Sequence, residues 1–226
     1  MNELSAIMAK HIKEMNNMDL VKINKYIENL YKDKEEMNRK RFQNETQLKD
    51  FIPVVDDDVA RFLKLLIKII KAKDILEIGT SIGYSATSMA QIVKEFEGHI
   101  TTIEFNKKVA KQAKENFIKS GVADIIDIKI GDAKEIVPNL NNKYDLIFQD
   151  VDKRLYPVLF EDCIKLLKPG GILVAEDTLF PVIDLDPKWY YLIPSIEEFN
   201  KLIKNDTRIE STILPIGDGV TIALKK

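Results

Sequence analysis

Four charged residues follow two successive apolar segments of the chain. Asp150 comes directly after the first segment, with Lys153 three residues later, and Glu176 and Asp177 follow the second. If both segments are parallel strands, the three carboxylates lie at one edge of the sheet, because parallel strands end there together. Carboxylate oxygens are the ligands that Mg²⁺ and similar hard divalent ions prefer. A lysine beside such an ion could take the proton of a bound hydroxyl group, which would make its oxygen nucleophilic near neutral pH.

Each of these acids alone also has a simpler interpretation, because an acid at a strand end can cap the next helix or lie in solvent. The set favours a metal site because it follows two neighbouring strands and includes its own lysine. Asp145 stands at the start of its strand, so we expect it at the opposite edge of the sheet.

A second group of residues could hold a nucleoside. Gly79 and Gly83 follow the apolar run 75–78, where a loop can let the backbone approach a ligand before a helix begins. Their spacing fits neither the dinucleotide motif nor a phosphate-binding loop. Glu104 ends the next strand, 21 residues after Gly83, where a carboxylate can accept both ribose hydroxyls. A third strand leads into Gly131-Asp132-Ala133. The residues at these three strand ends suit a nucleoside ligand with a zwitterionic tail better than a ligand that carries a pyrophosphate.

The elements that must position these residues alternate from residue 74 onward. Alternating strands and helices predict a mostly parallel sheet with helices on both faces. The last two strands are joined by Ile216–Gly219, which is too short for a crossover helix and therefore predicts an antiparallel hairpin. We predict strands at 74–78, 100–104, 125–130, 144–149, 171–176, 209–215 and 219–224, and helices near 84–96, 106–120, 132–139, 155–167 and 194–204.

Residues 1–50 precede this pattern as a helix-forming extension without glycine or proline, and residues 51–226 form the α/β domain. The extension has ten Lys/Arg and nine Asp/Glu residues, which indicates a solvated amphipathic segment rather than a nucleic-acid arm. We expect it to cover the sheet or to pack on a second subunit, and we predict a homodimer.

Bulk properties exclude several classes of protein. The formal net charge is -2 and the pI is about 5.9, so no general basic field favours non-specific nucleic-acid binding. The single cysteine, Cys163, cannot form an internal disulfide, and no apolar run reaches the roughly 18 residues of a membrane span. We expect a cytoplasmic protein without a membrane partner.

Taken together, these motifs resemble the cation-dependent O-methyltransferases of the caffeoyl-CoA and catechol type, which use S-adenosylmethionine (SAM). The resemblance covers roughly Ile52 to Lys226. It implies a Rossmann-like class I methyltransferase fold with a seven-stranded, mostly parallel sheet and a C-terminal antiparallel hairpin. It rests on the segments Leu76–Ser85, Thr102–Glu104, Gly131–Ala133, Asp150–Lys153, Lys168–Gly171 and Pro215–Gly219.

The resemblance also implies a role for each matching position. The metal ligands would be Asp150 together with Glu176 and Asp177, which stand where the family has an Asp-Asn pair, and the ion would be Mg²⁺, with Mn²⁺ or Ca²⁺ as alternatives. Asp150 would also contact SAM, and Lys153 would be the base. The remaining SAM-binding positions would be Val55, Glu77, Gly79 and Ser85 for the methionine part, Glu104 for the ribose, and Asp132 and Ala133 for the adenine end.

We therefore expect a SAM-dependent O-methyltransferase that acts on an aromatic, catechol-like small molecule. The segment 179–191, with Trp189-Tyr190-Tyr191, could stack on a planar acceptor, although ordinary packing or a dimer contact would also explain it. One rival acceptor is a hydroxylated uridine in tRNA. The acids Asp184 and Asp186 argue against it, because carboxylates repel phosphates. A second rival is a SAM-binding protein with a decayed metal site, suggested only by the Glu-Asp pair. A nicotinamide oxidoreductase is excluded by the missing third glycine and by the terminal hairpin.

Overall fold

The chain divides into two compact units, residues 1–38 and 39–226. In the first unit the described part includes one helix, α1 (Leu20–Tyr31). Much of the predicted N-terminal extension, residues 1–19 and 33–37, lies outside the described residues. The computed structural model describes residues 20–32, 38–51 and 53–226.

The second unit is an α/β domain in which strands and helices alternate. Short 3₁₀ helices lie at Lys94–Phe96, Val137–Asn139, Lys153–Leu155 and Pro187–Leu192. The helices and strands are, in chain order, α2 (Arg39–Glu45), α3 (Asp57–Ile70), β1 (Asp74–Ile78), α4 (Tyr84–Val93), β2 (His99–Glu104), α5 (Lys107–Lys119), β3 (Ile126–Ile130), α6 (Ala133–Ile136), β4 (Tyr144–Gln149), α7 (Tyr156–Leu166), β5 (Leu167–Ala175), α8 (Ile193–Asn205), β6 (Ile209–Leu214) and β7 (Val220–Lys225).

The seven strands form one sheet in the order β3-β2-β1-β4-β5-β7-β6. Strands β1 to β5 are parallel, and β7 is antiparallel to both β5 and β6. The order reverses direction beside β1, so the carboxyl ends of β1 and β4 flank a switch point where open α/β sheets bind ligands. This arrangement confirms the predicted mostly parallel sheet with its terminal hairpin.

Strand β5 begins at Leu167, earlier than the sequence indicates. Tyr144 of β4 pairs with Leu167 while Leu146 pairs with Ile172, so the register shifts between these two pairs. The extra residues, which include Pro169, form an irregular start to the strand. Proline and glycine fit this position because they lie where regular ladder pairing is interrupted.

Residues 39–50 pack with the α/β domain, so the larger unit begins upstream of the boundary predicted at residue 51. Phe42 of α2 is buried, and its ring lies 5.4 Å from the ring of Tyr84. Asn116 of α5 donates a hydrogen bond of 3.0 Å to the hydroxyl of Thr46. Both contacts join the end of the predicted extension to helices of the sheet domain.

Aromatic and aliphatic side chains under α7 and α8 form the core on one face of the sheet. Tyr156 and Phe199 are fully buried there, with ring centroids 5.2 Å apart. Cys163 is buried in the same core, and burial raises the pKa of its thiol to about 12, so it is a structural residue. Among the described residues, no helix is long and apolar enough to cross a membrane.

Candidate active site

The carboxylate of Glu77 lies at the end of β1, fully buried between two hydroxyl groups. Ser85 Oγ and Thr102 Oγ1 each donate a hydrogen bond of 2.5 Å to it. Burial raises the pKa of Glu77 to about 8, although the two hydroxyls favour the charged form. A buried acid with few charge partners at a strand end is well placed to meet a cationic group of a ligand. Sequence reasoning selected Glu77 and Ser85 but did not identify Thr102.

Gly79 allows the loop after β1 to lie directly against the end of β4. Its φ is +104°, and a Cβ atom added there would lie 2.0 Å from the carbonyl oxygen of Asp150. The same loop is held to β2, because the amide of Gly79 donates to the carbonyl of Ile103 at 3.0 Å. The close approach therefore brings the glycine loop against the backbone of Asp150.

Glu104 ends β2 and faces the same loop. Its carboxylate accepts hydrogen bonds from the amides of Ser81 at 2.9 Å and Asn106 at 2.8 Å. Burial raises the pKa of Glu104, while these backbone hydrogen bonds oppose the shift. Two amides thus fix the side chain at the end of the strand.

The other predicted nucleoside residues lie at the starts of helices. Asp132 caps α6, because its carboxylate accepts a hydrogen bond of 2.9 Å from the amide of Lys134, and Ala133 is buried behind it. Val55 is buried in the extended segment before α3. Asp132 and Ala133 follow β3, which pairs with β2 beside Glu104, so they share its edge of the sheet.

The three predicted metal ligands do lie together. One carboxylate oxygen from each of Asp150, Glu176 and Asp177 falls within 4.8 Å of the others. Two oxygens on opposite sides of a Mg²⁺ or Ca²⁺ ion are about 4 to 5 Å apart. The donor set therefore fits a hard divalent cation that prefers oxygen ligands.

Lys153 neutralises part of this acidic cluster. Its ammonium lies 2.8 Å from Asp150 Oδ1, 2.8 Å from Asp177 Oδ2 and 3.1 Å from the hydroxyl of Tyr156. Burial alone would lower the pKa of Lys153, but the carboxylates of Asp150 and Asp177 outweigh burial and hold it well above its usual value. The ammonium form is thus favoured while both carboxylates are charged.

Glu176 forms no ion pair within the described part of the chain, although the nearby Lys153 acts to lower its pKa. Only 6% of its surface is exposed, and its carboxylate accepts no hydrogen bond from the described part of the chain. Burial, reinforced by the nearby Asp150 and Asp177, raises its pKa well above the usual value, and burial also raises the pKa of Asp177. A buried carboxylate without a hydrogen-bond donor among the described residues is able to bind a cation.

Asp177 has an unusual backbone conformation, with a φ of +61°. Aspartate and asparagine tolerate this left-handed region better than other residues with a side chain. The turn directs the chain away from β5 immediately after Glu176, so consecutive residues can both contribute oxygens to the cluster.

Tyr156 is a site residue that sequence reasoning missed. Its hydroxyl lies 2.8 Å from the carbonyl oxygen of Gln149 and 3.1 Å from that of Glu176, beside the Lys153 ammonium. It thereby ties the ends of β4 and β5 to the lysine. Its spacing of three residues from Lys153 was a usable signal, because residues three apart on a helix share a face.

Exposed aromatic side chains lie on the loop that follows the acidic cluster. Tyr190 and Tyr191 are exposed, and the rings of Trp189 and Tyr191 are 6.4 Å apart. The guanidinium of Arg154, which follows Lys153, lies 5.9 Å from the ring of Tyr191. The aromatic loop therefore lies beside the residue that follows Lys153 in the chain.

The strand order and the polar carboxyl edge define the class of this protein as Rossmann-like α/β with an antiparallel C-terminal hairpin. The chain belongs to the O-methyltransferase family, whose family model matches residues 13–226. This membership confirms the family resemblance and the expectation of a SAM-dependent O-methyltransferase.

Curated relatives and solved structures give the same picture. The chain is 31% identical over 182 residues to a catechol O-methyltransferase of Niastella koreensis, covering 76% of this chain and 82% of that protein. It is 35% identical over 177 residues to a caffeoyl-CoA O-methyltransferase of Populus kitakamiensis, covering 73% and 75%. The O-methyltransferase TomG from Streptomyces achromogenes, solved in complex with SAM, superposes with a TM-score of 0.76 at 26% identity over 91% of this chain and 96% of that one.

Proposed function

We propose that this protein transfers the methyl group of SAM to a hydroxyl of a catechol-like aromatic small molecule with the help of a divalent cation. The observation that carries the proposal is the cluster in which oxygens of Asp150, Glu176 and Asp177 lie within 4.8 Å of one another beside Lys153. The catechol and caffeoyl-CoA methyltransferases among its relatives support an acceptor of this kind.

The chain's residues bind SAM along the carboxyl edge from β1 to β3. Glu77 receives the ammonium of the methionine part, whose positive charge favours the carboxylate form of this buried acid. Glu104 accepts hydrogen bonds from the ribose hydroxyls, and Asp132 and Ala133 border the adenine. Gly79, which has no side chain, lets the loop backbone approach the ligand. Val55 and Ser85 complete the methionine end. Fixing both reactants in line supplies most of the expected rate enhancement.

Asp150, Glu176 and Asp177 would hold the cation, which would supply positive charge that lowers the pKa of an acceptor hydroxyl. Positive charge beside Asp150 and Asp177 would stop these acids from holding the pKa of Lys153 as high, so its ammonium would first release a proton to solvent. The resulting neutral amine then takes the proton of the acceptor hydroxyl at Nζ. Tyr156 keeps the amine in position, and Trp189 and Tyr191 contact the planar acceptor.

The test is methyl transfer from labelled SAM to a panel of catechols and to tRNA, each with Mg²⁺ and with a chelator. We expect label on a catechol only when Mg²⁺ is present. Lys153→Met should lower kcat by about 10²- to 10⁴-fold, as removal of a general base does, while SAM affinity stays close to that of the wild type. Arg154→Met removes a neighbouring cation and is the matched control, for which we expect a much smaller loss.

Two outcomes would contradict this proposal. Equal transfer in the presence of a chelator would remove the cation from the mechanism. SAM binding without transfer to any acceptor and without Mg²⁺ binding would favour the SAM-binding protein with a decayed metal site.

A second candidate acceptor, a hydroxylated uridine in tRNA, is favoured by a basic surface on α5. The helix has five exposed lysines and a single acid, Glu115, and none of the five forms an ion pair within the described part of the chain. Such a stripe suits a phosphate backbone. The lysines are Lys107, Lys108, Lys111, Lys114 and Lys119.

The α5 lysines allow a separate test of the tRNA candidate. If tRNA is the acceptor, replacing Lys107, Lys111 and Lys114 with serine should weaken tRNA binding and reduce its salt dependence, because fewer counterions are released. The control is Lys201→Ser with Lys204→Ser on α8. Label on tRNA that is insensitive to the α5 substitutions would exclude this surface as the binding site.

A further inference from the structure

A pair of threonine hydroxyls extends from the buried carboxylate of Glu77 into the glycine loop. Thr102 Oγ1 lies 2.5 Å from Glu77 Oε2 and 2.6 Å from Thr80 Oγ1. Thr102 faces Glu77 because the two residues pair directly in the parallel register of β1 and β2. Thr80 belongs to the loop after β1, and its amide donates to the carbonyl of Ile103 at 3.1 Å. The loop, β2 and the end of β1 are therefore joined through three side chains that are at most 1% exposed.

The direction of these hydrogen bonds follows from the protons available. A threonine hydroxyl has a single proton to donate, and its oxygen can also accept. Because Thr102 gives its proton to the carboxylate of Glu77, the proton between the two threonines comes from Thr80. The two hydroxyls thus form a threonine relay, Thr80 to Thr102, in which each donates toward Glu77. Hydrogen bonds in such a chain strengthen one another.

The carboxylate of Glu77 keeps capacity for a ligand. Ser85 and Thr102 each donate one hydrogen bond, one to each oxygen, whereas a carboxylate can accept about four. Burial raises the pKa of Glu77, and so do the acids Asp150 and Glu104, which act on it from the ends of the neighbouring strands β4 and β2. An ammonium group supplies both the missing donors and a positive charge.

The threonine relay also fixes the direction in which this carboxylate points. A glutamate side chain has several rotatable bonds, so burial alone does not set the plane of its oxygens. Ser85 of α4 binds one oxygen of Glu77 and Thr102 of β2 binds the other, which sets that plane. Thr80 in turn sets the hydroxyl of Thr102, which could otherwise rotate.

We propose that Thr102 and Thr80 are positioning residues that hold the carboxylate of Glu77 toward the ammonium group of SAM. This inference rests on the proposed function, in which Glu77 receives that ammonium. It adds that the strength of SAM binding depends on two hydroxyls that do not themselves contact the ammonium.

The test compares the affinities of the full chain for SAM and for 5′-methylthioadenosine by titration calorimetry. The second ligand has the nucleoside and the sulfur of SAM but neither the ammonium nor the carboxylate. Thr102→Val keeps the branched shape of the side chain and removes the hydroxyl. SAM affinity should fall about tenfold to a hundredfold, the effect of losing a hydrogen bond to a charged group. Affinity for 5′-methylthioadenosine should remain that of the wild type, because this ligand has no ammonium for Glu77 to bind.

Three further variants separate the relay from a general effect of changing a buried threonine. Thr102→Ser should recover most of the SAM affinity, because it returns the hydroxyl. Thr80→Val should weaken SAM binding less than Thr102→Val, because Thr102 keeps its hydrogen bond to the carboxylate. The matched control is Thr221→Val on β7, where the fully buried hydroxyl has no hydrogen-bond partner among the described residues. It should change neither affinity.

Wild-type SAM affinity in Thr102→Val would overturn the inference. Equal losses of affinity for both ligands would overturn it as well, because they would identify damage to the whole pocket. Glu77→Gln distinguishes this failure from that of the proposed function. Loss of SAM affinity in Glu77→Gln but not in Thr102→Val would remove the relay alone, whereas normal SAM binding by Glu77→Gln would also remove the assignment of Glu77 to the ammonium.

Discussion

At the scale of single residues, Glu77 shows how the protein holds an acid ready for a ligand. Its pKa rises from an ordinary value of 4.5 to about 8 because the side chain is fully buried. Between pH 4.5 and about pH 8, the folded chain therefore still holds a proton on Glu77 that the unfolded chain has already released. By linkage, the contribution of Glu77 to stability is fully present below pH 4.5 and is lost as pH rises toward 8.

Replacing Glu77 with glutamine should flatten the dependence of stability on pH. Without SAM, the wild type should become less stable between pH 5.5 and 8.5, by up to a few kcal/mol, because the buried carboxyl must ionise. The variant should lose much less over that range, since an amide does not titrate. Chemical unfolding at several pH values measures both slopes, and Glu97→Gln, an exposed acid, is the control. Parallel slopes in Glu77→Gln and wild type would refute the assignment.

At the scale of elements, the site depends on how closely the loop after β1 approaches the end of β4. Gly79 and Gly170 both have a positive φ, but only Gly79 is crowded, because an added Cβ would lie 2.0 Å from the carbonyl of Asp150. A Cβ atom added to Gly170 would meet no heavy atom within 4 Å beyond its chain neighbours. Substituting alanine at each of the two glycines therefore distinguishes the effect of backbone strain from that of steric overlap.

Gly79→Ala should lower SAM affinity by at least tenfold, because the loop or the end of β4 must move to relieve the overlap. Gly170→Ala should cost only about 1 kcal/mol of stability through its backbone conformation and should bind SAM normally. Calorimetric titration with SAM measures the first effect and thermal unfolding the second. Normal SAM binding by Gly79→Ala would show that this contact does not shape the site.

The positions of the strands could largely be predicted from the sequence, because buried parallel strands are short apolar runs between glycines and acids. The same topology made the acidic site predictable, since it brings the ends of β4 and β5 together. The early start of β5 could not be predicted from the sequence, because Leu167 pairs with Tyr144 of β4 on the far side of a register shift. The contacts of Tyr156 and Thr102 also depend on packing between elements, and the docking of α2 through Phe42 leaves no local signal.

At the scale of the whole molecule, α1 has exposed apolar residues on one face. Tyr26 and Leu30 are four residues apart and more than half exposed. Residues at this spacing are neighbours on a helix surface and form an apolar patch suited to a second copy of the chain. We propose that this face contributes to a homodimer.

Replacing Tyr26 and Leu30 with serine should convert the protein from a dimer to a monomer of 25.9 kDa. The apolar contacts that hold the copies together would be lost, while the α/β unit beginning at Arg39 keeps its own core. Sedimentation measures the mass, and Glu28→Ser on the same helix is the control. A monomeric wild type, or a double variant that stays dimeric, would exclude this face.

The backbone of Asp177 has a consequence for how this enzyme could change over evolution. At a φ of +61°, asparagine and aspartate are nearly interchangeable, and they differ by one unit of charge and almost nothing in shape. A single substitution can therefore alter the charge of the acidic cluster without rebuilding the turn. If the cluster holds the proposed cation, its preference among metals can change in this way while the architecture remains the same.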